Sequence, residues 1–345
     1  MTFTQRVNLF LKIRWAKATR VHKPFVALLH LTSRCTQKCL YCYAEHQGEY
    51  DPLSVTEWIG IIKQLREAGC EMIVLMGGEP LLYKGLEKII DYVKDEGIQC
   101  HLTTNGVLIP EFIHILKKVD LLMVSLDGNE KGHDANRGEG SWKKVVEGIE
   151  MAKSYGIPLR INAVMTRNNR HDIPWLLDFG EKHGAYVGFT IPARCPSVEA
   201  MGDLILTDQE NIELHKELVE FKNMGKKITL STEALNHVIN YPRKLDELVY
   251  KRDVDNRQVY PNECPYGRYI VFIGADSSVY PCTTLWERKE DYKPKNILKD
   301  GFKAAIKNAQ ELPCWICFCA GSVEWSRMTS FCGIVDALKF TLSQM

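Results

Sequence analysis

The chain has 345 residues, 45% of them hydrophobic, 25% charged and 10% aromatic, which excludes the disordered and fibrous classes. Lys and Arg number 44 against 43 Asp and Glu, and a formal charge of +1 gives no reason to expect nucleic acid as a partner. Twelve cysteines are too few for a disulfide scaffold and enough to ask what they bind.

Residues 1–24 form a first, basic segment. No Asp or Glu precedes Glu45, while Arg6, Lys12, Arg14, Lys17, Arg20, Lys23, Arg34 and Lys38 all do. With Val7, Leu9, Phe10, Leu11, Ile13 and Trp15 interleaved, the first turns suit a basic amphipathic helix. Such a helix could lie on an anionic membrane or pack across the open side or bottom of a barrel. Its cations break any signal-peptide core, and no stretch of the chain approaches the roughly 18 apolar residues of a membrane span. The expected location is cytoplasmic, with peripheral membrane contact through this segment as an option. In that reducing compartment, clustered cysteines are metal ligands or catalysts more often than bridges.

Residues 25–224 alternate β-rich runs with amphipathic stretches. Val26–Leu31, Met72–Met76, Gln99–Thr103, Leu121–Leu126, Leu159–Val164 and Tyr186–Ile191 read as strands. Val55–Ala68, Leu86–Lys94, Glu111–Lys118, Ser141–Tyr155, Ile173–His183 and Gln209–Phe221 read as the helices between and after them. The strand runs are nearly continuous apolar segments, as when both sheet faces are covered. Six βα units predict a parallel sheet with right-handed crossovers, open or curled toward a barrel, with reactive groups at the strands' C-terminal ends. Residues 225–263 break the rhythm as a connector; Lys244–Arg257 alternates charges without a strand pattern and suggests a linking helix or a mobile segment. In residues 264–345, Arg268–Gly274 and Val279–Tyr280 flank a hairpin turn, and Gly301–Ala309 leads into a cysteine-rich tail.

Cys35, Cys39 and Cys42 form C-x3-C-x2-C just after the first strand. Three thiolates in eight residues can converge on one inorganic centre, either an iron–sulfur cluster or a structural zinc with His46 as fourth ligand. A four-iron cluster held by three cysteines leaves one iron open to another ligand. Gly77-Gly78-Glu79-Pro80 ends the second strand; glycines allow close backbone approach, and Glu79 offers a carboxylate to an amino group.

Taken together, these two motifs resemble the radical S-adenosylmethionine (SAM) superfamily, which uses this cysteine triplet with an aromatic residue, here Tyr41, before the third cysteine. Thr103-Thr104-Asn105-Gly106, Val124-Ser125-Leu126-Asp127-Gly128 and His133-Asp134-Ala135-Asn136-Arg137-Gly138 continue the resemblance in order. It implies an α/β fold, a partial (β/α)6 TIM-like barrel followed by a small α+β SPASM- or twitch-like domain. It also implies a 4Fe–4S cluster with an open iron on Cys35, Cys39 and Cys42, and SAM bound to that iron. Glu79, with the backbone of Gly77 and Gly78, would hold the methionine amino group. Ser125 would contact the ribose or carboxylate, Arg137 the carboxylate, and Tyr41 the adenine, with Asn105 also at the cofactor. Asn162 either faces the cofactor or is a satisfied core amide. One electron, from a flavodoxin- or ferredoxin-type donor, would split the sulfonium to a 5′-deoxyadenosyl radical that takes a hydrogen atom from substrate.

Cys264, Cys282, Cys314 and Cys317 flank the hairpin and form C-x2-C beyond the next helix. Alone they suit a zinc ribbon; beside such a barrel they resemble an auxiliary 4Fe–4S site. The C-x2-C-x-C spacing departs from the full two-cluster pattern, and Ser277 stands where that pattern has glycine, so one auxiliary cluster is expected. Cys319 could replace Cys317, or join Cys332 in a second cluster, while Cys70, Cys100 and Cys195 read as packing residues. Four cysteine ligands leave no open iron, so that cluster would accept an electron and favour net oxidation of substrate. About 25 residues precede the first strand, too few for a leader-peptide-binding domain, which favours a small-molecule or lipid-like substrate over a peptide. A peptide maturase of the same superfamily is the second reading, and a zinc scaffold or nucleic-acid adaptor the third. His101, His133 and His171, near strand ends, are candidates for proton transfer.

Overall fold

A computed structural model describes residues 3–42, 52–192, 202–251, 263–288 and 290–328. Cys195, Cys332 and His46 lie outside the described residues. Helix α1 (Phe3–Ala18) precedes strands β1 (Val26–His30), β2 (Met72–Met76), β3 (Gln99–Thr104), β4 (Leu121–Ser125), β5 (Leu159–Val164) and β6 (Tyr186–Thr190). Between and after them run α2 (Val55–Glu67), α3 (Leu86–Asp95), α4 (Ile109–Leu116), α5 (Glu130–Arg137), α6 (Ser141–Ser154), α7 (Ile173–His183) and α8 (Asp208–Asn223). Two of these helices start on reciprocal caps. Ser54 Oγ accepts the Glu57 N–H while Glu57 accepts the Ser54 N–H, and Thr207 and Glu210 repeat the arrangement at α8.

The remaining elements are α9 (Thr232–Ile239), β7 (Val249–Tyr250), β8 (Ile270–Ile273), β9 (Ser278–Tyr280), α10 (Thr284–Glu287), β10 (Lys295–Asn296), α11 (Ile297–Asp300), α12 (Phe302–Gln310), β11 (Cys314–Ile316) and α13 (Ala320–Met328). Two of them fall in the stretch read as a connector. Helix α9 is capped by Ser231, and β7 pairs antiparallel with β11, where the sequence shows no strand pattern. A two-residue strand takes its form from its partner rather than its composition.

Nine strands make one sheet in the order β10-β9-β8-β1-β2-β3-β4-β5-β6. Strands β1 to β6 are parallel, and β8 also runs parallel to β1, with Ile270 opposite Val26. The hairpin therefore extends the barrel sheet along the free edge of β1. Beyond β6, Val187 forms a parallel bridge with Ile228. On the outer face Leu29, Leu75, Leu102, Val124, Ile161 and Val187 join Trp58, Ile62, Ile89 and Leu177 from the helices in one buried core. Full burial of each such side chain is worth about 1.5–3 kcal/mol.

The inner face is different from the evenly apolar one the sequence suggests. The alternate positions carry His30, Thr103, Ser125, Arg160, Asn162 and Gly188, because this side walls an interior rather than packing on helices. Beneath the barrel, Ile13 and Ala16 of α1 are buried with Val26, Met72 and Ile270, the first residues of β1, β2 and β8. Lys12 pairs with Glu71, and Lys17 Nζ donates to the Ser326 carbonyl at 3.2 Å. Ile13 and Ala16 are thus docked on the barrel bottom, while Leu11 and Trp15 on the same helix are exposed. Among the described residues, no helix is long and apolar enough to cross a membrane.

Candidate active site

The chain leaving β1 carries Cys35, Cys39 and Cys42, and the chain leaving β2 holds it in place. Gly78 N donates to Thr32 O at 2.7 Å, and Glu79 N to Arg34 O at 2.8 Å. A Cβ on Gly77 would stand 2.5 Å from Thr32 O, and one on Gly78 2.5 Å from Arg34 O. Both glycines are needed where one backbone crosses another, so in the structure they make room for the cysteine-bearing loop itself. Burial pushes the Cys39 thiol up to about 12 and raises that of Cys35, so a metal cluster loading here must displace protons.

Glu79 is fully buried at the start of the short turn Pro80–Leu82. Its carboxylate accepts from Leu81 N at 3.1 Å, Thr104 Oγ1 at 2.9 and 3.0 Å and Asn105 N at 2.8 Å, with no cation in ion-pair contact among the described residues. Burial pushes its pKa up to about 7. An oriented, desolvated carboxylate lacking a cation suits an amino group as ligand. The Asn105 side chain turns to the cysteine loop instead, donating to Thr36 Oγ1 at 2.9 Å and toward Cys35 Sγ at 3.6 Å.

Arg137 and Tyr41, which the resemblance places at the cofactor, both engage Asp127. Arg137 forks onto Asp127, with Nε to Oδ2 at 2.8 Å and Nη2 to Oδ1 at 3.1 Å. Its Nη1 faces Cys39 Sγ at 3.8 Å. The Tyr41 hydroxyl donates to the same carboxylate, which also accepts from Val164 N at 3.0 Å. Asp127 is thus the buried hub that ties the cysteine loop to β4 and β5. His133 braces it by accepting the Asp127 N–H through Nδ1 at 3.2 Å, and burial pushes the His133 pKa down to about 4, disfavouring the imidazolium form. Asp134 caps the start of α6 through Gly140 N and Trp142 N, each at 2.7 Å. His133, Asp134 and Arg137 of the His-Asp-x-x-Arg-Gly segment thus brace Asp127 and the start of α6. Ser125 and Asn162 lie side by side on β4 and β5, and Asn162 Oδ1 is buried without a partner.

The second cysteine group lines one cavity of about 80 Å³. Cys264, Cys282, Cys314, Cys317 and Cys319 all face it, with Tyr266. Main-chain pairing gathers them, since Cys264 N donates to Trp315 O at 2.8 Å and Cys314 lies on β11 opposite Tyr250. Burial pushes Cys282 up to about 11 and Cys314 to about 12. Cys319 goes the other way, down to about 7, because it accepts a hydrogen bond from Cys317 and faces the Ser322 and Gly321 N–H groups in the first turn of α13. Among the described residues no three His, Cys, Asp or Glu side chains close on a single point as the ligands of one metal ion do. Cys70 and Cys100 are buried in the outer core, as packing residues.

Residues 29–180 match the profile of the radical SAM superfamily. That segment is a radical SAM domain. The family uses a 4Fe–4S cluster and SAM. The chain is 32% identical to the Fe-coproporphyrin III synthase of Methanosarcina barkeri over 163 residues, 46% of this chain and 41% of that protein. It is 27% identical to the AdoMet-dependent heme synthase of Nitratidesulfovibrio vulgaris over 266 residues, 74% of this chain and 72% of that one. The first match thus spans less than half of the relative's own length. In fold, the chain resembles Streptococcus suis SuiB bound to precursor peptide SuiA, with a TM-score of 0.68 at 15% identity over 93% of this chain and 77% of that one.

The donor set fits the radical SAM cofactors: three thiols beside a buried carboxylate that lacks a cation. Sequence reasoning passed over Asp127, Thr104 and Tyr266 as site residues. Asp127 and Thr104 stood inside quoted motifs, yet only folding shows which groups their side chains serve.

Proposed function

We propose that this protein is a radical SAM oxidoreductase acting on a small molecule. The observation that carries the reading is the pairing of two cysteine sites on one barrel, Cys35, Cys39 and Cys42 beside Glu79, and five cysteines around a second cavity. Cys35, Cys39 and Cys42 would hold the first cluster; Cys264, Cys282, Cys314 and either Cys317 or Cys319 would hold an auxiliary one. When bound, the first cluster with SAM supplies a hydrogen-abstracting radical, and an auxiliary cluster supplies an electron acceptor. Glu79 would anchor the SAM amino group, and the Asp127–Arg137–Tyr41 hub would keep the Cys39 loop rigid. The inner wall would exclude water and stray hydrogen donors from the substrate. An external flavodoxin- or ferredoxin-type protein would supply the electron.

Both sequence relatives above are named for tetrapyrrole chemistry, which favours a small molecule of that kind over a peptide. The test is anaerobic incubation of the reconstituted protein with SAM and dithionite, assaying 5′-deoxyadenosine alone, with porphyrins and with peptides. A rise with porphyrins is expected. Formation of none at all contradicts the enzyme reading, and a rise with peptides alone replaces the small molecule by a peptide substrate.

A further inference from the structure

Arg160 lies on the inner face of β5 and is half-buried, and its Nε is shut from solvent without a partner. Among the described residues its guanidinium makes no ion pair and no hydrogen bond. A desolvated cation left this way is costly unless something anionic comes to it. Two neighbours share the deficit: Asn162 Oδ1, two residues on along the strand, and Thr229 Oγ1, beyond β6, are also buried and unpartnered.

The three groups converge on one point of the wall, where there is no room for a side chain. Gly188 of β6 sits opposite Asn162, and a Cβ there would stand 2.8 Å from Asn162 Oδ1, 3.0 Å from Arg160 Nη2 and 3.1 Å from Thr229 Oγ1. Its φ is not in the left-handed region, so the backbone does not demand glycine; the space does. Nearby, Glu324 of α13 is close enough to act on Arg160 electrostatically but is engaged by Ser231 N at 2.8 Å. Tyr266, on the other side, belongs to the auxiliary cysteine cavity.

We propose that Arg160, Asn162 and Thr229, gathered over Gly188, form a subsite for a carboxylate group of the substrate. This rests on the reading of the barrel interior as the substrate chamber and names what that chamber recognises. The planar guanidinium fork matches a carboxylate, the Thr229 hydroxyl adds a donor, and the Asn162 amide can turn its NH2 inward. A single cation balances a monoanion better than a phosphate dianion. Asn162 and Gly188 of the subsite lie in register with Ser125 across β4, β5 and β6.

Calorimetric titration of the reconstituted protein, without reductant, tests this with benzoate, benzamide and phenyl phosphate. Benzoate is expected to bind the wild type, and to bind about tenfold or more weakly to Arg160→Gln. Gly188→Ala keeps the cation but drives a methyl against Asn162, Arg160 and Thr229, displacing them, and is expected to lose benzoate to a similar degree. Arg160→Lys should retain part of the affinity, because it keeps the charge and loses the fork. Benzoate binding that neither Arg160→Gln nor Gly188→Ala weakens overturns the proposal. So does benzamide bound as tightly as benzoate, phenyl phosphate bound more tightly, or no benzoate binding to the wild type. Formation of 5′-deoxyadenosine under reductant is scored separately. Its absence from a protein that binds benzoate through Arg160 would refute the radical reading and leave the carboxylate subsite standing.

Discussion

Ser277 holds φ at 66°, the left-handed region where a side chain costs about 1–2 kcal/mol. Its hydroxyl donates to Asn296 Oδ1 at 2.8 Å, and Asn296 in turn caps α11. The serine thus offsets with a hydrogen bond some of the strain that glycine would avoid. Ser277→Ala keeps the strain and loses the bond, whereas Ser277→Gly loses only the bond. Urea unfolding should find the glycine variant more stable than the alanine variant by about 1–2 kcal/mol; an alanine variant of equal or greater stability would contradict the geometry. Single residues were legible when the motif was local. Glu79 stood out beside its glycines, and Ser277 as a departure from glycine. Arg137 stood out within its motif, but its pairing with Asp127, ten positions away, is set only in the fold. Arg160 passed unnoticed because one arginine in a strand gives no sign of whether a carboxylate waits for it.

Elements were more legible than their partners. The six parallel strands and the helices after them follow from apolar period and turn signals. Helix α9 was missed although Ser231 marks its start, because eight residues carry only Ala234, Leu235 and Val238 as a buried stripe. The basic first helix was legible as a helix, but its docking site was not, since nothing in its own sequence says which surface receives Ile13 and Ala16. The structure places those two side chains under the barrel. Sedimentation with anionic liposomes at moderate salt should therefore leave the folded protein in the supernatant; sedimentation of most of it would show that α1 can leave its seat for a membrane.

At the scale of the whole molecule, the feature hidden from the sequence is that β8 closes on β1. Their pairing joins positions more than two hundred residues apart, and no local pattern encodes such a register. It draws the cysteine-bearing tail onto the barrel, with α13 reaching back to Ser231 beyond β6. The fold also stores neutral histidines. His30, His133 and His215 are each pushed down to about 4, chiefly by burial, against 6.5 for an unperturbed imidazole. Between those values only the unfolded chain takes up the proton, so stability is full above about pH 6.5 and falls as pH drops toward 4. The loss is up to about 3 kcal/mol per histidine, and His215→Gln, on α8 away from both cysteine sites, should flatten that decline. An unchanged slope in His215→Gln would show that His215 is not held neutral. The central claim, that one barrel carries two iron–sulfur sites, is tested most directly by metal and sulfide analysis of the anaerobically reconstituted protein. About eight irons with matching sulfide are expected for the wild type, and about four once Cys35, Cys39 and Cys42 are all replaced by alanine. Zinc in place of iron, or an iron count unmoved by that triple substitution, would contradict it.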